Sequence, residues 1–130
     1  MSVLITASIR VDKLPKALQT YFNIAWKWAN REGFTKCVSE NDPQTCVYRS
    51  EDGENACLIG AAIPDCMYTS KIEDNIPSID YDWWCDLGVS REVLDYLVDL
   101  QCCHDENDTQ KSIVNALQLF SETHNLSIPE

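Results

Sequence analysis

Hydrophobic and polar residues alternate near the N-terminus of this chain and then recur at helical spacing in three later segments. The alternation over residues 3–11 predicts a β-strand. Helical spacing over residues 15–32 predicts a helix that starts at Pro15 and stops before Gly33. A second predicted helix covers residues 91–104 behind the N-cap Ser90. A third starts behind the N-cap Thr109 or Asp108, ends at Asn125 and has an apolar stripe of Ile113, Ala116, Leu117, Phe120 and His124.

Between the first two predicted helices, residues 46–59 have the pattern of a β-hairpin with Asp52-Gly53 at its tip. A two-residue turn there places Tyr48 opposite Cys57 and Cys46 opposite Ile59, with all four side chains on one face. The Gly60-Ala-Ala sequence favours close packing, and Pro64 predicts the start of a short helix. Residues 69–90 have poor periodicity and predict a long connection.

These elements predict one α+β domain spanning residues 1–130. Its β-hairpin, with residues 3–11 as a candidate third strand, is expected to lie against three main helices. A chain of 130 residues can bury a sizeable core without stabilising cross-links.

Charge and cysteine content narrow the classes of function. A net charge of −11 argues against direct binding of nucleic acid or of anionic membranes. The N-terminus lacks the basic region of a signal peptide, and no apolar run approaches the length of a membrane span. We therefore expect a cytoplasmic protein whose seven cysteines are reduced and mostly buried.

We expect no metal and no cofactor. The sequence has no Cys-x-x-Cys pair, and a helix would point the adjacent residues Cys102, Cys103 and His104 in different directions. A structural zinc held by the evenly spaced cysteines of residues 37–66 is the alternative.

The hairpin segment resembles a group of small proteins of tailed bacteriophages and related mobile elements. Their pattern is Cys-x-Tyr-Arg, a short turn with Gly, and then Cys-Ala-x-Gly-x-x-Ile-Pro-Asp-x-x-Tyr, with Leu58 here in place of the Ala. The matching residues are Cys46, Tyr48, Arg49, Gly53, Cys57, Gly60, Ile63, Pro64, Asp65 and Tyr68. The resemblance extends over about residues 14–126, including Leu100-Gln and His104-Asp105. It implies a viral or mobile-element origin and a bacterial host cytoplasm, and it brings no activity with it.

Aromatic and acidic residues occur together in residues 80–86, outside that pattern. Tryptophan and tyrosine ringed by carboxylates suit contact with a basic protein surface, although we expect at least one tryptophan to lie in the core. The following helix adds carboxylates on one face, spaced as a nucleic-acid mimic would need. The predicted binding residues are Tyr81, Asp82, Trp83, Trp84, Asp86, Glu92, Asp95 and Asp99.

The first hypothesis is therefore a small acidic phage-type protein that binds a host bacterial protein of a defence or nucleic-acid-processing system and inhibits or modulates it. An enzyme or small-ligand protein built around the hairpin is the second hypothesis, with Cys57, Arg49 and His104 converging. No Gly-rich oxyanion turn flanks any cysteine, so we do not expect catalysis. A structural adaptor that dimerises through Ile24 and Trp26 is the third.

Overall fold

In a computed structural model, the chain is described over residues 15–38, 47–48, 55–63 and 81–129. These residues form four α-helices: α1 (Leu18–Ala29), α2 (Tyr81–Asp86), α3 (Arg91–Asp105) and α4 (Gln110–Thr123). A 3-10 turn at Gly60–Ala62 lies between α1 and α2 in the chain. Helix α1 contacts α3, α4 and the 3-10 turn, α3 contacts α4, and α2 contacts α3.

The three long helices form where the hydrophobic spacing predicts them. Helix α1 buries Tyr21, Phe22, Ala25, Trp28 and Ala29, which share one face. Its described ends lie inside the predicted range of residues 15–32, and the chain then turns at Gly33, whose φ of 77° suits glycine.

The ends of α3 and α4 are set by the predicted capping residues. The Ser90 hydroxyl accepts a hydrogen bond from the Val93 amide, which caps α3. Thr109 forms a reciprocal capping box with Ser112 at the start of α4. Asn125, with φ of 55°, follows the last turn of α4. The connection over residues 106–109 is short, so α3 and α4 are antiparallel neighbours.

The expected α+β class is wrong, because the described residues contain no β-strand and four helices. The described residues of the predicted hairpin include a backbone hydrogen bond that fits its register, from the Cys57 amide to the Tyr48 carbonyl at 3.1 Å. Beyond Cys57 the chain coils instead of extending: the Ala61 amide donates to the Cys57 carbonyl at 2.9 Å, and the Ile63 amide donates to Gly60 at 3.2 Å.

The physical reason is the apolar run itself. Residues 56–63 are all buried, so this segment has no polar face to turn toward solvent as a two-faced strand would. A short apolar run does not distinguish a strand from a buried helical turn. The tip of the predicted hairpin, the predicted strand at residues 3–11 and the predicted helix after Pro64 lie outside the described residues.

The connection predicted for residues 69–90 also needs correction, because its last part forms α2. Trp84 on this helix is completely buried and fixes α2 to the core, and the half-buried Trp83 and Cys85 pack against the core as well. The core joins α1, α3, α4 and the 3-10 turn around Trp28, Trp84, Leu94, Leu97, Leu100, Ile113 and Leu117.

Candidate binding surface

Helix α2 places its two tryptophans in different environments. Trp84 is completely buried, whereas Trp83 is half-buried and meets it edge-to-face, with ring centroids 5.1 Å apart. Trp84 is therefore a core residue and not a contact for a partner. Trp83 keeps part of its ring at the surface, beside the exposed residues Asp82 and Asp86. The side chain of Tyr81 lies outside the described residues.

Every carboxylate residue of residues 81–108 is exposed, and we refer to these eight residues as the acidic surface. They are Asp82, Asp86, Glu92, Asp95, Asp99, Asp105, Glu106 and Asp108. Arg91 is the single Lys or Arg in the same range, which gives it a formal charge of −7 out of −11 for the whole chain. By contrast, α4 carries one lysine and one glutamate and is neutral.

Few cations offset the acidic surface within the described residues. Arg91 lies 3.9 Å from Asp82, and Lys36 lies 3.5 Å from Asp108, and both carboxylates are almost fully exposed. Ion pairs this exposed are worth little because water and salt screen them. Most of the negative electrostatic field of the acidic surface therefore extends into solvent, where it can act on a partner protein.

The predicted residues Glu92, Asp95 and Asp99 lie on one exposed stripe of α3, as their spacing predicts. The same stripe continues past Asp99 to Cys102 and then Glu106, at successive turns of the helix. From Asp99 to Glu106 this acidic stripe lies at the edge where α3 meets α4.

A groove of about 290 Å³ lies between α3 and α4. Its α3 wall includes Asp99, Cys102 and Glu106, and its α4 wall includes Ala116, Leu119 and Thr123, with Cys103 and Phe120 also lining it. We call this feature the α3–α4 groove. Leu119 is 64% exposed and Phe120 only 6%, so a protruding apolar side chain stands beside a buried ring.

Sequence reasoning missed Leu119, the exposed apolar residue of the α4 wall. The predicted core stripe of α4 includes Ala116 and Phe120 but leaves out Leu119, which lies one position before the buried Phe120. The signal that the sequence offered was a leucine that lies outside the apolar stripe of a short helix. Its significance depends on α3 and α4 being neighbours, which the stripe alone does not show.

His104 is a buried structural residue. It is completely buried, and its Nε2 accepts a hydrogen bond from the Cys37 amide at 3.0 Å. Its Nδ1 lies 2.8 Å from the Asp105 carboxylate, so the proton sits on Nδ1 and donates to Asp105. Because the Cys37 amide occupies the only free lone pair, His104 has no site left to act as a general base.

Most of the described cysteines are buried thiols. Cys37, Cys57 and Cys103 are buried, and Cys85 and Cys102 are half-buried. Cys57 is completely buried, and its Sγ accepts a hydrogen bond from the Gly60 amide at 3.1 Å. Burial raises the pKa of Cys103 to about 12, and burial followed by three nearby carboxylates raises the pKa of Cys102. These shifts suppress the thiolate that a nucleophile needs.

Among the described residues, no group of three or more His, Cys, Asp or Glu side chains could hold a metal ion. Cys46 and Cys66, two members of the alternative zinc arrangement, lie outside those residues. The described helices also include none that is long and apolar enough to cross a membrane.

The motif residues that the structure describes lie together. Tyr48, Cys57, Gly60 and Ile63 are buried, and a Cβ added to Gly60 would lie 2.0 Å from the Tyr48 carbonyl oxygen. This is the close packing that the sequence predicts at Gly60. The remaining residues of the motif lie outside the described part of the chain: Cys46, Arg49, Gly53, Pro64, Asp65 and Tyr68.

A polar contact that the sequence did not predict holds this segment to the end of α1. The Trp28 indole donates to the Ala56 carbonyl at 2.8 Å, and Arg31 donates to the Asn55 side chain at 2.9 Å. The Arg31 guanidinium stacks over the Trp28 ring at 3.8 Å from its centroid. Burial lowers the pKa of Arg31, and a nearby Cys37 partly opposes that shift.

The proposed dimer face is largely occupied within the chain. Ile24 and Trp26 are both half-buried against the core, and the Trp26 ring stacks on Phe22 with centroids 6.0 Å apart. Neither residue protrudes as Leu119 does. A large unpartnered apolar patch, which a stable homodimer would need, is not formed by these two side chains.

Comparison with known proteins adds no relative: no family model, no curated protein and no solved structure matches the chain.

Proposed function

We propose that this protein acts by binding, and that its acidic surface occupies a basic surface on another protein. The observation that carries the proposal is the concentration of charge, because residues 81–108 hold −7 of the chain's −11 and all eight carboxylates are exposed. A field of this kind steers association with a basic partner and repels nucleic acid and acidic proteins.

The sequence resemblance to small phage proteins favours a bacterial protein of a defence or nucleic-acid-processing system as the partner. Such proteins present basic surfaces because their own ligand is a polyanion. Carboxylates along the exposed stripe of α3 would compete for that surface, and occupation of the surface would inhibit or modulate the partner. Trp83 would contribute apolar contact at one end of the acidic surface.

The experiment is a pull-down of the tagged chain from bacterial lysate at low and high salt, read by mass spectrometry. The test variant neutralises three positions on the α3 stripe, Glu92→Gln, Asp95→Asn and Asp99→Asn. The control neutralises Glu32→Gln and Glu122→Gln, two exposed glutamates outside the acidic surface.

We expect the wild type and the control to retain one dominant partner at low salt and to lose it near 1 M salt, where the Debye length falls to about 3 Å. At about 0.5–1 kcal/mol for each charge, the triple variant should bind at least about tenfold more weakly. A partner that the triple variant retains as well as the control, or that survives high salt unchanged, contradicts the proposal. So does a pull-down with no specific partner at low salt.

A further inference from the structure

The α3–α4 groove lies directly against the acidic stripe, and the two features share Asp99 and Glu106. Residues of the groove repeat at helical spacing on both walls: Asp99 and Glu106 on α3, and Ala116, Leu119 and Thr123 on α4. On the α3 side the lining residues run from Asp99 to Asn107 and are spread over about 12 Å, which is the length of about two turns of a third helix.

The two walls of the groove differ in chemistry, and this difference determines which kind of protein segment fits. The α4 wall offers the 64%-exposed Leu119, and the buried Phe120 ring also lines the groove, so an apolar ridge would find contacts there. The α3 wall offers the carboxylates of Asp99 and Glu106, which form no ion pair within the described residues. A segment that fits both walls carries apolar residues on one face and lysine or arginine beside them.

From this arrangement we infer that the α3–α4 groove binds a basic amphipathic helix of the partner protein. The inference rests on the proposed function and names the part of the partner that is recognised. Helices of this type commonly bind through residues spaced i, i+3, i+4 and i+7 in an apolar groove. Here the apolar anchors would lie against Leu119 and Phe120, while the basic residues would meet Asp99 and Glu106.

A defined probe tests the groove without knowledge of the partner. The probe is a fluorescent peptide of leucine and lysine, with the leucines at helical spacing. One comparison peptide has the same composition with the spacing scrambled, and a second has glutamate in place of lysine. Binding of each peptide to the full chain is measured by fluorescence anisotropy at low salt.

The matched variants are Leu119→Gln and Ile128→Gln, since Leu119 and Ile128 are the two exposed large hydrophobic residues of the described chain and Ile128 does not line the groove. We expect Leu119→Gln to weaken binding of the leucine–lysine peptide at least about tenfold, and Ile128→Gln to leave it within twofold. The scrambled peptide should bind at least about tenfold more weakly, and the glutamate peptide should not bind. Unchanged melting temperatures would show that both variants fold.

Equal binding of the helical and scrambled peptides, or equal behaviour of the two variants, overturns the inference. The lysate pull-down separates its failure from failure of the proposed function. If the triple charge variant loses the partner but Leu119→Gln keeps it, the inference about the groove is contradicted and the proposed function is still supported. A partner kept by both variants overturns both, whereas a partner lost by both variants supports both.

Discussion

Replacing Gly60 by alanine should destabilise the fold strongly, although alanine is normally the better residue in a helical turn. The new Cβ would lie 2.0 Å from the Tyr48 carbonyl oxygen and 2.7 Å from its carbon. These are backbone atoms, so no side-chain rotation can relieve the contact. One of the two segments must move, and the 3.1 Å hydrogen bond from the Cys57 amide to the same carbonyl is strained with it.

The magnitude follows from two contributions. Overpacking of a tight core contact costs about 1–3 kcal/mol, and loss of a buried hydrogen bond adds about 1 kcal/mol. The gain in helical propensity from glycine to alanine returns at most about 1 kcal/mol. We therefore expect Gly60→Ala to lower the free energy of unfolding by about 2 kcal/mol, which corresponds to a drop of roughly 7 °C in Tm for a chain of this size.

The assay is urea unfolding followed by tryptophan fluorescence and by circular dichroism, with Gly33→Ala as the control. Gly33 has φ of 77° but no atom within 4 Å of an added Cβ, so alanine there bears only the cost of a left-handed backbone, about 1 kcal/mol. Gly60→Ala should therefore be clearly the worse of the two. A Gly60→Ala protein as stable as wild type, or more stable than Gly33→Ala, would refute the close approach of residues 48 and 60.

Further predictions concern three single side chains. The Tyr21 hydroxyl is buried with no hydrogen-bond partner among the described residues, and burial raises its pKa. Tyr21→Phe should therefore raise the free energy of unfolding by about 1–2 kcal/mol. A loss of stability in urea unfolding would show that the hydroxyl is hydrogen-bonded. Cys103, with a pKa raised to about 12, should react with iodoacetamide at pH 8 at least about tenfold more slowly in the native than in the unfolded chain, and rapid labelling by mass spectrometry would count against a buried thiol. The pKa of Cys103 in the folded chain exceeds the unfolded value near 8.5, so its contribution to stability is complete below pH 8.5 and declines as the pH rises toward 12. The Tm of Cys103→Ala should therefore fall less at alkaline pH than the Tm of the wild type. Ser90→Ala removes the cap of α3 and should cost about 1 kcal/mol in urea unfolding, and an unchanged midpoint would show that the bond to the Val93 amide is not needed.

The sequence by itself determined the three long helices, because each carries its own evidence. Five buried residues of α1 recur at helical spacing, and Ser90, Thr109 and Asn125 satisfy or terminate the ends of α3 and α4. It also determined the exposed acidic stripe of α3, since residues opposite an apolar stripe face solvent. These features depend on neighbours within four residues of one another.

Tertiary structure decided the conformation of residues 56–63 and the environments of Trp83 and Trp84. An apolar run fits a strand or a buried turn equally well, and here α1 and Tyr48 enclose it, so that it coils and closes its own hydrogen bonds. The structural role of His104 also depends on tertiary structure, because the Cys37 amide that donates to its Nε2 belongs to a residue 67 positions away. The α3–α4 groove likewise exists only because two helices lie side by side, and no single stripe of residues contains it.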